Sequence, residues 1–119
     1  MWFQYFVLIL SVFTVGNGLL HDIFVLLKHK GGYDRNLLRL LMDGHILIIS
    51  GLIYLAAWFQ FSRDHGPALW LCIIASASLL VYAIMIYPFL KSFVTILLNA
   101  IMLVMAIIQL INPQIFKDL

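Results

Sequence analysis

Four long apolar runs, separated by short polar segments, make up almost the whole chain. They cover approximately residues 2–27, 36–61, 67–87 and 89–111. At a rise of about 1.5 Å per residue, each run is long enough to cross a hydrocarbon core roughly 30 Å thick as one helix. Lys28 and the glycines at 31 and 32 end the first run. Asp34 or Asn36 can cap the second helix, and Pro67 suits the first position of the third.

The short connections and the composition together predict the fold class. Short loops make consecutive helices antiparallel neighbours. Only 10% of the residues are charged and 65% are hydrophobic, whereas about a quarter of the residues of a soluble domain are charged. So few charges cannot cover a surface that faces water, so we expect the outer surface to face lipid. The sequence therefore predicts an all-α integral membrane protein, with one domain that forms an up-down antiparallel bundle of four transmembrane helices.

The basic residues predict the orientation of this bundle. Five of the seven Lys and Arg residues lie on the side of the first and third connections, and these are Lys28, Lys30, Arg35, Arg39 and Lys91. The other side carries Arg63 and Lys117. Because basic loops favour the cytoplasm, we expect both termini on the non-cytoplasmic side of a bacterial inner membrane. The first run lacks the basic start of a secretory signal peptide, so we expect it to be a retained span.

Polar side chains inside the apolar runs are costly without partners, which makes them informative about function. Asn17 and His21 are one turn apart in the first helix and can touch. By helical rise, His21 lies roughly 9 Å inside the first helix and Asp43 roughly 12 Å inside the second. Tyr82, Thr95 and Asn99 lie at a similar depth in helices three and four. In helix four, one stripe with spacings of three and four contains Ser92, Thr95, Asn99, Met102, Ala106 and Gln109.

All four helices thus place polar groups in one layer near the basic end of the bundle. We expect this layer to bind or conduct a proton, an ion or a small solute. The leading site residues are Asn17, His21, Asp43 and Asn99. In this hypothesis His21 titrates, Asp43 supplies charge and the amides position the solute or a water. The secondary candidates are Asp22, Arg39, His45, Tyr82 and Thr95. Because four helices usually need further copies to enclose a path, we expect a homodimer.

Helical geometry restricts this candidate site. Asp43 and His45 are two residues apart, about 200° around the helix, so at most one of them faces His21. Arg39 and Asp43 are four residues apart and can pair with each other. No helix carries His or carboxylate ligands at spacings of three or four, so the sequence indicates a metal only weakly. The cofactor and the metal stay unknown, since no strong motif requires either.

Two other functions stay open at this point. The chain could be a structural subunit or assembly factor of a larger membrane complex, in which the polar layer only holds helices together. It could also be a metal- or haem-binding membrane protein. Catalysis ranks last, since no nucleophile–base pair, phosphate loop or cysteine pair is present and Cys72 is the only cysteine. The net charge of +2 is too small and too dispersed to indicate a nucleic-acid partner. The partner that we expect is the lipid bilayer around the helices.

Overall fold

In the part of the chain that the structure describes, four α-helices form a bundle. The computed structural model describes residues 2–90 and 92–115 of the 119-residue chain. The helices are α1 (Trp2–Lys28), α2 (Arg35–Gln60), α3 (His65–Leu90) and α4 (Phe93–Ile111). Each is long and apolar enough to cross a membrane. α1 packs along α2, α2 along α3 and α3 along α4, which confirms the predicted all-α up-down antiparallel bundle. Lys91 and Lys117, which entered the orientation prediction, lie outside the described residues.

The connection between α1 and α2 is held by local hydrogen bonds. The Asp34 carboxylate accepts a hydrogen bond from the Leu37 N–H at 2.8 Å, which confirms the first of the two predicted caps. Gly31 has a φ of 116°, a conformation that glycine adopts without steric cost. The His29 ring donates to the Gly32 carbonyl oxygen at 3.0 Å and lies 3.7 Å from the Asp34 carboxylate. These contacts fix the geometry of the basic loop.

The third helix differs most from its predicted bounds. It continues through Pro88 to Leu90, and α4 begins at Phe93 instead of at 89. A proline removes one N–H and disturbs the preceding turn, which usually ends a helix. Within membranes such a helix can continue when serine or threonine hydroxyls bond to the disturbed carbonyl groups. The Ser92 hydroxyl, just beyond α3, donates to the Ala83 carbonyl oxygen at 2.6 Å, one residue before Ile84, whose carbonyl loses its helical N–H donor to Pro88.

The other helix ends lie within two residues of their predicted positions. α3 begins at His65 and not at 67, so Pro67 lies in the first turn of the helix. The N–H groups of a first turn have no partner within the helix, so proline costs no hydrogen bond there.

α1 and α2 make the most extensive contact among the described helices. Small residues allow their backbones to approach closely. A Cβ atom on Gly18 would lie 2.5 Å from the Gly44 carbonyl oxygen, and one on Gly51 would lie 2.5 Å from a Val15 methyl carbon. The Ser11 hydroxyl donates across this contact to the Gly51 carbonyl oxygen at 2.8 Å. We call this contact the α1–α2 seam.

Candidate functional site

A groove lined by residues of all four helices lies at the end of the bundle that carries the α1–α2 and α3–α4 connections. Its volume is about 340 Å³. Its polar lining comes from Asn17, His21, Tyr82, Ser92 and Thr95, and α2 contributes Leu47. The structure therefore brings together two of the leading candidates and two of the secondary ones. We call this feature the polar groove.

His21 and Asp22 make an incomplete polar contact beside the polar groove. The imidazole Nδ1 and the carboxylate Oδ1 are 3.7 Å apart, which is too long for a hydrogen bond. Both atoms are buried, and neither has a hydrogen-bond partner within the described part of the chain. A buried polar atom without a partner costs about 1–3 kcal/mol. A proton shared between the two groups, or a cation held between them, would remove this cost.

A glycine on the facing helix makes room for the Asp22 carboxylate. Asp22 lies at the α1–α2 seam, where a Cβ atom on Gly44 would collide with its Oδ1 atom. The Asp22 side chain is only 17% exposed as a result. Sequence reasoning placed Asp22 among the secondary candidates and Asp43 among the leading ones. The sequence feature that could have identified Asp22 is Gly44, whose missing side chain leaves space for the carboxylate. Recognising that the two residues face each other requires the register between α1 and α2.

The candidates on α2 lie outside the lining of the polar groove. Asp43 is half-buried, and its backbone carbonyl accepts a hydrogen bond from the Tyr82 hydroxyl at 3.3 Å. Arg39 and His45 are both exposed. The ion pairs of the described residues do not include Arg39 or Asp43, so the pairing that their spacing allows is not formed.

Asn99, the fourth leading candidate, is buried and hydrogen-bonded. The Tyr54 hydroxyl donates to Asn99 Oδ1 at 2.6 Å. The Asn99 amide nitrogen in turn donates to the Thr95 carbonyl oxygen at 2.9 Å. Tyr54, which was not among the candidates, therefore links α2 to α4 through the centre of the bundle. This deeper half of the polar layer holds helices together, as the structural reading of the layer expects.

Metal ligands do not gather in the part of the chain that the structure describes. Among residues 2–90 and 92–115, no three His, Cys, Asp or Glu side chains lie close enough together to hold a metal ion. Cys72 is buried, and Ser76, one turn away, donates its hydroxyl hydrogen to the Cys72 carbonyl oxygen at 2.6 Å. His29 is engaged with the α1–α2 loop.

The fold and its surface assign the chain to the small membrane proteins. Four helices of sufficient length and apolar character, with many large hydrophobic side chains on the outside of the bundle, fit contact with a lipid bilayer. The polar groove and the His21–Asp22 contact are the features from which a more specific function can be inferred. Comparison of the chain with protein-family profiles, with curated proteins and with solved structures gives no match.

Proposed function

We propose that this chain is a non-enzymatic membrane protein that binds a proton or a small cation at the His21–Asp22 contact and passes it through the polar groove. One observation carries the proposal. The facing Nδ1 and Oδ1 atoms are buried, lack hydrogen-bond partners among the described residues and are only 3.7 Å apart. Ionisable groups within a transmembrane segment are rare and commonly mark a path for protons or ions.

The chemistry of the two groups suits this role. An imidazole gains and loses a proton within the pH range of cells. A proton on His21 Nδ1 would lie close to Asp22 Oδ1, and a side-chain rotation that shortened the 3.7 Å distance would complete a hydrogen bond. When the imidazole is neutral, its nitrogen and the carboxylate oxygen are both ligands for a cation. The same contact can therefore alternate between a protonated state and a state open to an ion.

The polar groove provides the next groups along a path. Tyr82 from α3 and Thr95 from α4 line the polar groove with His21. A hydroxyl group both donates and accepts a hydrogen bond, so each can relay a proton or replace a water of hydration. Asn17, one turn before His21, adds an amide group, which can also both donate and accept hydrogen bonds. Charged groups nearby are Lys28 and Lys30, which line a second cavity together with His21.

The orientation and the oligomeric state belong to the same proposal. We propose that the end of the bundle with the first connection faces the cytoplasm of a bacterial cell, because its cations favour that side, and that both termini lie on the other side of the inner membrane. Asn17 is exposed in the middle of its span. An amide group exposed to hydrocarbon costs several kcal/mol. A second copy of the chain that covers this side of the polar groove would remove the cost, which supports a homodimer.

The proposal is tested by titrating the histidine rings of the protein in lipid nanodiscs by ¹⁵N NMR. The chain has four His residues, and single His→Gln variants assign their signals. We expect the Asp22→Asn variant to move the titration of His21 and to leave that of His45, the exposed histidine of α2, unchanged. Liposomes containing the dye pyranine then report proton entry, with Na⁺ and K⁺ gradients tested in parallel.

The matched variants for the flux assay are His21→Gln and His45→Gln. We expect the first to abolish flux of the conducted ion and the second to retain it. A His21 titration that does not respond to Asp22→Asn would contradict the binding site. Equal flux through the wild type and His21→Gln would contradict the path.

A further inference from the structure

A second cavity lies beside the α1–α2 connection, outside the polar groove. Its volume is about 540 Å³. Its polar lining is His21, Lys28, His29, Lys30 and Asn36, and its apolar lining includes Phe24 and Leu40. Phe24 is one turn before Lys28 on α1, and Leu40 is one turn after Asn36 on α2. Both apolar residues therefore lie deeper along the helices than the polar residues at the helix ends.

The lysines of this cavity are available to an anionic ligand. The ion pairs of the described residues do not include Lys28 or Lys30. The nearby carboxylate of Asp34 lies against the His29 ring and accepts the capping hydrogen bond of α2. The Lys28 ammonium lies over the Phe24 ring, 5.7 Å from its centre, and both residues line the cavity.

We propose that this cavity binds the phosphate group of an anionic phospholipid. The two lysines would meet the phosphate, the Asn36 amide would donate a hydrogen bond to it, and the first acyl carbons would lie along Phe24 and Leu40. A lipid fits better than free phosphate because the cavity combines cations at the helix ends with an apolar wall one turn deeper. Basic cavities between transmembrane helices at the headgroup level are suited to anionic lipids.

This inference is independent of the proton or ion site, although His21 lines both cavities. It rests on the lysines, on Asn36 and on the apolar wall, none of which contributes to the polar groove. If the lipid site were disproved, the proposed proton or ion site would be unaffected. If the proton or ion site were disproved, the lipid site would likewise be unaffected.

The test measures binding of the intact protein in detergent micelles by native mass spectrometry. The probes are phosphatidylglycerol, phosphatidylcholine with the same acyl chains, and free glycerol phosphate. We expect phosphatidylglycerol to bind more tightly than phosphatidylcholine, and glycerol phosphate not to compete at equal concentration. Each lysine is expected to contribute about fivefold in affinity, from the attraction of about 1 kcal/mol per basic residue at a membrane surface.

The variants separate charge from folding. The double variant Lys28→Gln and Lys30→Gln is expected to bind phosphatidylglycerol about 25-fold more weakly. Lys28→Arg with Lys30→Arg keeps both charges and should stay within a few-fold of the wild type. Arg63→Gln, an exposed cation in the α2–α3 connection, should leave binding unchanged. Equal binding of the two phospholipids, equal competition by glycerol phosphate, or full binding by the double Gln variant would each overturn the proposal.

Discussion

Tyr54 and Asn99 make a direct side-chain link across the centre of the bundle. Both are buried, and the 2.6 Å distance between the hydroxyl and the amide oxygen is at the short end for a hydrogen bond. Hydrogen bonds between transmembrane helices contribute about 0.6 kcal/mol on average and up to about 1.7 kcal/mol. A change that strands one partner costs more than the bond itself, because the remaining polar atom stays buried.

We predict that Tyr54→Phe lowers the free energy of unfolding by about 1–2 kcal/mol, because Asn99 Oδ1 loses its donor. Tyr33→Phe is the matched control, since Tyr33 is 72% exposed and should tolerate the change. Reversible unfolding in mixed micelles gives the free energies. Adding Asn99→Leu to Tyr54→Phe removes both polar groups and should recover part of the loss. Equal stability of Tyr54→Phe and Tyr33→Phe would show that the link contributes little.

At the scale of the helices, the α1–α2 seam decides which side chains meet. Gly18 and Gly44 bring the two backbones close, and the same approach buries the Asp22 carboxylate. Helix four behaves more simply. The C-terminal part of its predicted stripe, from Asn99 to Gln109, is the buried face of α4. A helix that packs on one side buries residues at spacings of three and four, so this face can be read from the sequence of the helix alone.

We predict that Gly18→Ala destabilises the bundle by about 1–3 kcal/mol, since the added methyl group would meet the backbone of α2, which cannot move aside as a side chain can. Gly16→Ala is the control on the same helix. A Cβ atom there meets nothing within 4 Å, and alanine is the better helix former. Thermal unfolding in one detergent compares the two variants. Equal destabilisation by both changes would show that close approach at the seam is not what makes Gly18 necessary.

At the scale of the whole molecule, the orientation in the membrane is the first prediction. Cys72 is buried and is the only cysteine, so a Cys72→Ala background permits single-cysteine labelling. A membrane-impermeant maleimide should label Asp64→Cys in intact bacterial cells and should label Gly32→Cys only after lysis. The reason is the concentration of basic residues near Gly32. Labelling of Gly32→Cys in intact cells, and of Asp64→Cys only after lysis, would show the opposite orientation, with both termini in the cytoplasm.

The second whole-molecule prediction concerns the dimer. In the same Cys72→Ala background, Asn17→Cys should form cross-linked dimers in membranes, because the exposed amide marks the side of the polar groove that a second copy would cover. Val81→Cys on α3 is 59% exposed at wild type and serves as the control that should not cross-link. Gel electrophoresis after oxidation reads out both variants. Cross-linking at both positions or at neither would argue against this interface.

What was predictable from the sequence depends on whether the cause is local. The four helices follow from apolar runs of spanning length, and the Asp34 cap follows from a side chain three residues before the N–H that it binds. The end of α3 was placed too early. Pro88 is a local signal for helix termination, but within a membrane, packing against neighbouring helices allows a helix to continue through proline, and that packing is not a local property of the sequence.

The sequence by itself determined the all-α membrane fold and its four spans, because length, composition and helical rise require no knowledge of neighbours. Only the tertiary structure decided which polar groups meet. The rotation of each helix about its axis is set by the packing of residues such as Gly18 and Gly44. That rotation turns the Asp22 carboxylate into the seam against Gly44, leaves Asp43 outside the lining of the polar groove, and brings Asn99 within hydrogen-bond distance of Tyr54.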